Sequence, residues 1–150
     1  MDSEIKRYPV WNGNINAMIT PHQDQRYETI GDWWFSEDGT LQVRISDMVD
    51  KRYVFLVEQH EIQEALLCYW NGVEEDSVTQ FDMEYEAKRQ PGDNTEPGDQ
   101  YEAPYHKYHQ VATTCERLSA SLINVDWDVY DHTMEQLLEP AKERAKGDMK

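Results

Sequence analysis

The sequence predicts an α+β protein in which a small antiparallel sheet of two or three strands is packed by three or four helices. An Asp-Gly pair between two β-prone runs is typical of a hairpin. Four later stretches are long enough for helices, and Gly72 is a natural stop for the first of them. The 150 residues fit a single domain, 1–150.

The strands are expected in the first third of the chain. Residues 15–19 favour a short strand that ends before a proline. Residues 33–35 and 41–45 flank the Asp38-Gly39 pair and form the hairpin. Every second residue of the later hairpin strand is apolar, so we expect a helix to cover that face.

The helices are expected to follow the hairpin. Gly72 is a natural stop for the first helix, and Pro140 ends or kinks the fourth. Proline, glycine and acidic residues make 90–104 a loop whose length marks it as mobile or functional. The tail 146–150 is expected to fray. The predicted helices are residues 50–71, 74–89, 105–122 and 127–145.

Net charge, hydropathy and cysteine content argue against several functions. The net charge of −16 argues against direct binding to nucleic acid or to an anionic membrane, because both repel it. The sequence has no 18-residue apolar run and no secretory signal, so we expect a cytoplasmic protein. Cys68 and Cys115 are too few for a disulfide framework. Neither has a base fixed by spacing, which disfavours a cysteine nucleophile.

The negative charge is concentrated in one segment. Residues 74–103 contain ten acidic and two basic residues, which is half of the net charge. This composition indicates an acidic patch or lid. Such a patch disfavours anionic substrates and favours a basic partner or a cation.

The first predicted helix contains a candidate metal site. His60 and Glu64 lie about 40° apart on one helical face, inside an apolar stripe. Burying an imidazole and a carboxylate there is costly unless something satisfies them, and a divalent ion does so. Glu61 points about 100° away from His60. In an H-E-x-x-H site the residue after the first histidine is the general base, which makes Glu61 the candidate base here.

A third ligand must come from elsewhere in the chain. His109 is the first candidate, because it lies at the edge of an apolar stripe on the third predicted helix. The alternatives are His106, Asp82 and Glu116. That stripe, expected to be buried, consists of Tyr108, Val111, Cys115, Leu118 and Leu122.

The competing interpretation is structural. His60 and Glu64 can hydrogen-bond to each other or to nearby polar groups as a buried network without a metal.

The 90–104 loop also offers oxygen donors for calcium at Asp93, Asn94, Glu96 and Asp99. Their spacing is not that of an EF-hand, so a solvated loop is favoured.

The hairpin followed by a His60-Glu61-x-x-Glu64 helix is similar to the core of small zincin-like metallopeptidases. The resemblance implies His60 and Glu64 as ligands, Glu61 as base and a downstream ligand, for which His109 is our candidate. It implies a divalent ion, with zinc expected first, and a peptide or amide substrate. Glu64 stands where a histidine is usual, which weakens the ion as a Lewis acid.

The chain also resembles an uncharacterised family of small phage and prophage proteins. The resemblance covers roughly residues 29–127 and depends on segments 31–34, 38–44, 60–68 and 105–116. It implies a protein of the host cell cytoplasm and no particular activity or oligomeric state. The alternative function is a non-catalytic acidic protein that inhibits a basic, nucleic-acid-binding host defence protein.

Overall fold

A computed structural model describes residues 9–93 and 95–147, and for 139–147 it gives the backbone alone. Within these ranges it confirms the predicted small α+β fold. The strands are β1 (Ile15–Thr20), β2 (Gly31–Phe35) and β3 (Leu41–Ser46). The helices are α1 (Lys51–Trp70), α2 (Glu75–Ala87), α3 (His106–Leu122) and α4 (Trp127–Gly147), with short 3₁₀ helices at His22–Asp24 and Pro97–Asp99.

The three strands form a mixed sheet in the order β1-β3-β2. The β2–β3 hairpin is antiparallel, as predicted, and Gly39 takes the positive φ of 87° that its turn requires. The expectation of a wholly antiparallel sheet is wrong, because β1 pairs with β3 in parallel. Residues 21–30 carry the chain past the position of β3, so the returning hairpin strand inserts between β1 and β2 and runs parallel to β1.

Helix α1 covers one face of the sheet. Asp50 caps its first turn by accepting a 3.0 Å hydrogen bond from the Arg52 amide, and Gly72 follows its end with a φ of 70°. Its buried face packs on β2 and β3. Leu56 of this helix and Leu41, Val43 and Ile45 of β3 are almost completely buried. These residues form the centre of the core and place His60 and Glu64 beside it.

Helix α3 packs against α1 with a face that differs from the one expected. Its buried residues are His109, Ala112, Glu116 and Ala120. Most of the apolar stripe predicted to be buried is turned outward, with Leu118 63% and Leu122 75% exposed, while Tyr108 and Cys115 are half-buried. Two alanines allow α3 to approach α1 closely, and that approach brings the polar residues of both helices together.

The C-terminal helix and the 90–104 loop also differ in detail from what the sequence predicts. Helix α4 continues past Pro140 to Gly147, so the part of the predicted frayed tail that is described is helical. Residues 148–150 lie outside the described residues. In the 90–104 loop, Gly98 is buried. None of the described helices combines the length and the apolar character that crossing a membrane requires.

Candidate metal centre

The three candidate ligands His60, Glu64 and His109 lie together in the interior. His60 and Glu64 are one turn apart on α1, His109 is in the first turn of α3, and all three are buried. His60 Nε2 is 3.1 Å from Glu64 Oε2 and 3.1 Å from His109 Nδ1. His109 Nδ1 is 2.9 Å from Glu64 Oε2. One atom of each side chain therefore faces the same point.

This triangle resembles one face of a metal coordination shell. Ligand atoms about 2.0–2.2 Å from a tetrahedral ion lie about 3.3–3.6 Å from one another. The observed spacings are a few tenths of an ångström shorter, which small side-chain rotations can correct. These residues could therefore hold a divalent ion.

The second ring nitrogen of His60 has its own partner. His60 Nδ1 is 2.7 Å from Glu116 Oε1, and the Tyr130 hydroxyl donates a 2.5 Å hydrogen bond to the other Glu116 oxygen. A carboxylate in this position keeps a proton on Nδ1 and leaves Nε2 free to bind an ion. Glu116, an alternative third ligand in the sequence analysis, thus lies behind His60 instead.

Glu64 is anchored by the sheet. The Trp33 indole Nε1 of β2 donates a 3.1 Å hydrogen bond to Glu64 Oε1. The other oxygen, Oε2, is left facing the two imidazoles. A tryptophan on a buried strand is ordinarily a packing residue, so the sequence carries no signal for this contact.

The acidic loop reaches His109 from the other side. His109 Nε2 is 3.2 Å from Glu96 Oε2 and 3.2 Å from Asp99 Oδ1. Neither contact has the alignment of a hydrogen bond, so this buried nitrogen has no hydrogen-bond partner within the described chain. Gly98 lies close against the imidazole ring, because a Cβ added to it would be 2.5 Å from His109 Cγ.

Glu61, the candidate base, is half-buried and lines the cleft beside the three ligands. Its carboxyl lies against Gly31 of β2, where an added Cβ would be 2.5 Å from Glu61 Oε1. Burial and the charge of Glu64 raise the pKa of Glu61 well above its usual value. Gly31 therefore provides the space in which the carboxyl lies.

The buried charges alter one another's proton affinity. Burial lowers the pKa of His60, but hydrogen bonds to Glu116 and Glu64 outweigh it and raise the pKa well above 6.5. Burial also lowers the pKa of His109, but the contacts with Asp99, Glu64 and Glu96 outweigh this effect and raise the pKa to about 12. Burial raises the pKa of Glu64, yet the two imidazoles lower it to about 2. Without a metal, hydrogen bonds from the protonated imidazoles of His60 and His109 to Glu64 hold these three side chains together.

The remaining candidates lie outside the triangle. Asp82 accepts hydrogen bonds from the hydroxyls of Tyr27 and Tyr105, and burial raises its pKa to about 7. His106 Nδ1 contacts the Gly98 carbonyl oxygen at 2.9 Å. Burial raises the pKa of the Cys68 thiol, which makes it a poor nucleophile.

The site opens into a cleft of about 490 Å³ between β2 and the helices. Among the described residues that line it, carboxylates outnumber the single guanidinium, Arg117. The cleft is therefore strongly negative and suits a cation better than an anion. Its carboxylates belong to Asp32, Glu61, Glu64, Asp82, Glu96, Asp99, Glu116, Asp131 and Glu135.

Comparisons of the chain with protein-family models, curated proteins and solved structures find no match. The interpretation of the site therefore depends on its own geometry and chemistry.

Proposed function

We propose that the chain binds a divalent metal ion, zinc first, through His60, Glu64 and His109, and that it hydrolyses a peptide or amide bond in the adjoining cleft. The observation that carries the proposal is the convergence of His60 Nε2, His109 Nδ1 and Glu64 Oε2 in a buried position. Two imidazoles and one carboxylate are a ligand set used by catalytic zinc sites, which keep a further position open.

The hydrogen bonds around the triangle support an ion within it. Glu116 holds a proton on the outer nitrogen of His60, and the loop carboxylates attract one to the outer nitrogen of His109. The two inner nitrogens then present lone pairs to each other and to Glu64, all within 3.1 Å. A divalent ion between these three acceptors would take the place of the protons that otherwise hold the cluster together.

The cleft gives the remaining residues their roles. A bound divalent ion supplies Lewis-acid activation of water. Glu61 lies in the same cleft and takes up the proton that the water loses. Trp33 and Glu116 hold Glu64 and His60 in orientation.

The first test separates metal binding from chemistry. Untagged wild-type protein should contain close to one equivalent of zinc by elemental analysis after dialysis against dilute zinc, and His60→Ala should lose it. Glu61→Gln should keep the metal, while hydrolysis of a fluorogenic peptide library falls about 10²- to 10⁴-fold. The matched control is Glu58→Gln on the same helix, which should retain both properties.

A second variant tests the position of Glu61. Gly31→Ala puts a methyl group where the Glu61 carboxyl lies, so the flexible side chain must move. We expect normal metal content and reduced hydrolysis. Metal below a tenth of an equivalent in the wild type, unchanged in His60→Ala, would favour the metal-free network and overturn the proposal.

A further inference from the structure

His109 is approached by acidic groups at both ring nitrogens. Nδ1 faces Glu64, whereas Nε2 faces Glu96 and Asp99 of the loop at 3.2 Å each. Nε2 is buried and lacks an aligned hydrogen bond among the residues the structure describes. The ligand atoms of this outer group all lie within 4.8 Å of one another.

We propose that Glu96, Asp99 and Nε2 of His109 form a second divalent-cation site, so that the imidazole bridges two metal ions. The inference rests on the proposed function, since the first ion occupies the Nδ1 side of the ring. One nitrogen and two carboxylate oxygens suit zinc, manganese or iron(II).

The arrangement of the two loop carboxylates fits an ion better than a proton. An N–H bond points along one direction, but the two oxygens are equally distant from Nε2 and neither is aligned with that bond. An ion contacts all three atoms at once. The carboxylates of Glu96 and Asp99 are about half exposed, at 55% and 49%, so water can complete the coordination shell.

The charges balance when both sites are filled. The ring then carries no proton on nitrogen: each N–H bond is replaced by a metal–nitrogen bond, and the protons go to solvent. Two divalent ions are neutralised by the imidazolate and by the carboxylates of Glu64, Glu96 and Asp99. With one ion and a neutral ring, the same groups keep a net negative charge.

The absence of a side chain at Gly98 allows the loop to approach His109 closely enough for Glu96 and Asp99 to face its Nε2. The residue lies against the His109 ring, and a larger side chain there would collide with it. Glu96 and Asp99 flank Gly98, so their carboxylates reach the ring edge from a segment that packs on α2 and α3.

Copper titration followed by electron paramagnetic resonance tests the proposal. Untagged, metal-free wild-type protein should bind two equivalents of Cu²⁺, and the integrated signal should fall as the second binds, because an imidazolate couples the two spins. The double variant Glu96→Gln/Asp99→Asn should bind one equivalent with full intensity. Glu102→Gln, on the same loop, is the matched control and should behave as wild type.

The outcomes separate the two proposals. One equivalent in both the wild type and the double variant overturns the second site and leaves the proposed function standing. Two equivalents with uncoupled spins overturn the bridge. No binding in the wild type overturns both proposals.

Discussion

His60 has polar contacts with three side chains of the candidate site. Its ring touches Glu64, His109 and Glu116, and it is buried beside them. The orientation of the ring therefore depends on a carboxylate that does not itself face the triangle. In metal sites, such a partner fixes the tautomer and strengthens the histidine as a ligand.

Glu116→Gln should lower zinc affinity by about 10- to 100-fold, because the amide holds the proton on His60 Nδ1 less strongly. Competition with a chromophoric chelator measures the change. Glu135→Gln, in the same cleft, serves as the control and should leave the affinity within about twofold of wild type. Equal affinities for the two variants would contradict the role of Glu116.

Asp82 should make stability depend on pH. Its pKa of about 7 lies above the ordinary 3.8, so the folded protein binds the proton more tightly than the unfolded chain. The stability is lost as the pH rises toward and through about 7. Relative to Asp82→Asn, the free energy of unfolding of wild type should fall by roughly 2–3 kcal/mol between pH 5 and 8. Urea unfolding of both proteins at pH 5 and at pH 8 measures this change. An equal change in the free energy of unfolding of the two proteins would contradict the claim.

The sequence predicts some of the residues of the candidate site. Helical spacing predicts that His60 and Glu64 share one face, and the place of His109 at the edge of an apolar stripe on a later helix makes it the candidate third ligand. The structure brings these three together. Their roles as ligands stay a prediction. Glu96 and Asp99 lie in a loop without periodicity, so spacing could not indicate that they reach His109.

Helix α3 shows why an apolar stripe does not by itself identify the buried face. Leu118 and Leu122 are exposed, while His109 and Glu116 are buried. The polar residues find partners on α1 and α4, which offsets the cost of burying them. Sequence periodicity measures hydrophobicity alone and misses such partners.

Two matched leucine substitutions test this assignment of faces. Leu56→Ala, in the core of α1, should lower the free energy of unfolding by about 2–5 kcal/mol. Leu118→Ala, on the exposed stripe, should change it by less than about 0.5 kcal/mol. Chemical denaturation of both variants measures the difference, and equal losses would place the stripe of α3 in the core.

The sheet is predictable only where its signals are local. The turn at Gly39 specifies the β2–β3 hairpin, and that pairing is confirmed. The partner and direction of β1 depend on the ten-residue connection 21–30, whose course has no short-range signature. The number of strands was therefore predictable, whereas the parallel pairing was not.

The whole molecule concentrates part of its negative charge in a concave site. Helix α2 and the acidic loop supply Asp82, Glu96 and Asp99 to the cleft, and α4 adds Asp131 and Glu135. A concave acidic surface suits a cation, whereas a protein that mimics nucleic acid needs an array of carboxylates on one face. Inhibition of a basic host protein stays the alternative prediction, marked by binding that weakens as salt rises.

The charge of the cleft should select among peptides. A fluorogenic peptide with lysines flanking the scissile bond should have a kcat/KM at least about tenfold higher than its glutamate counterpart. The advantage should shrink at high salt, since screening weakens the attraction. An uncharged peptide of the same length is the control. A preference for the glutamate peptide would contradict this account.

X-ray absorption at the zinc edge tests the central claim most directly. Untagged protein loaded with one equivalent of zinc should give a shell of two imidazole nitrogens and a carboxylate oxygen at about 2.0–2.2 Å. His109→Ala should lose one imidazole contribution. A shell of oxygen atoms alone, or a spectrum that is identical in the two proteins, would contradict a site built from His60, Glu64 and His109.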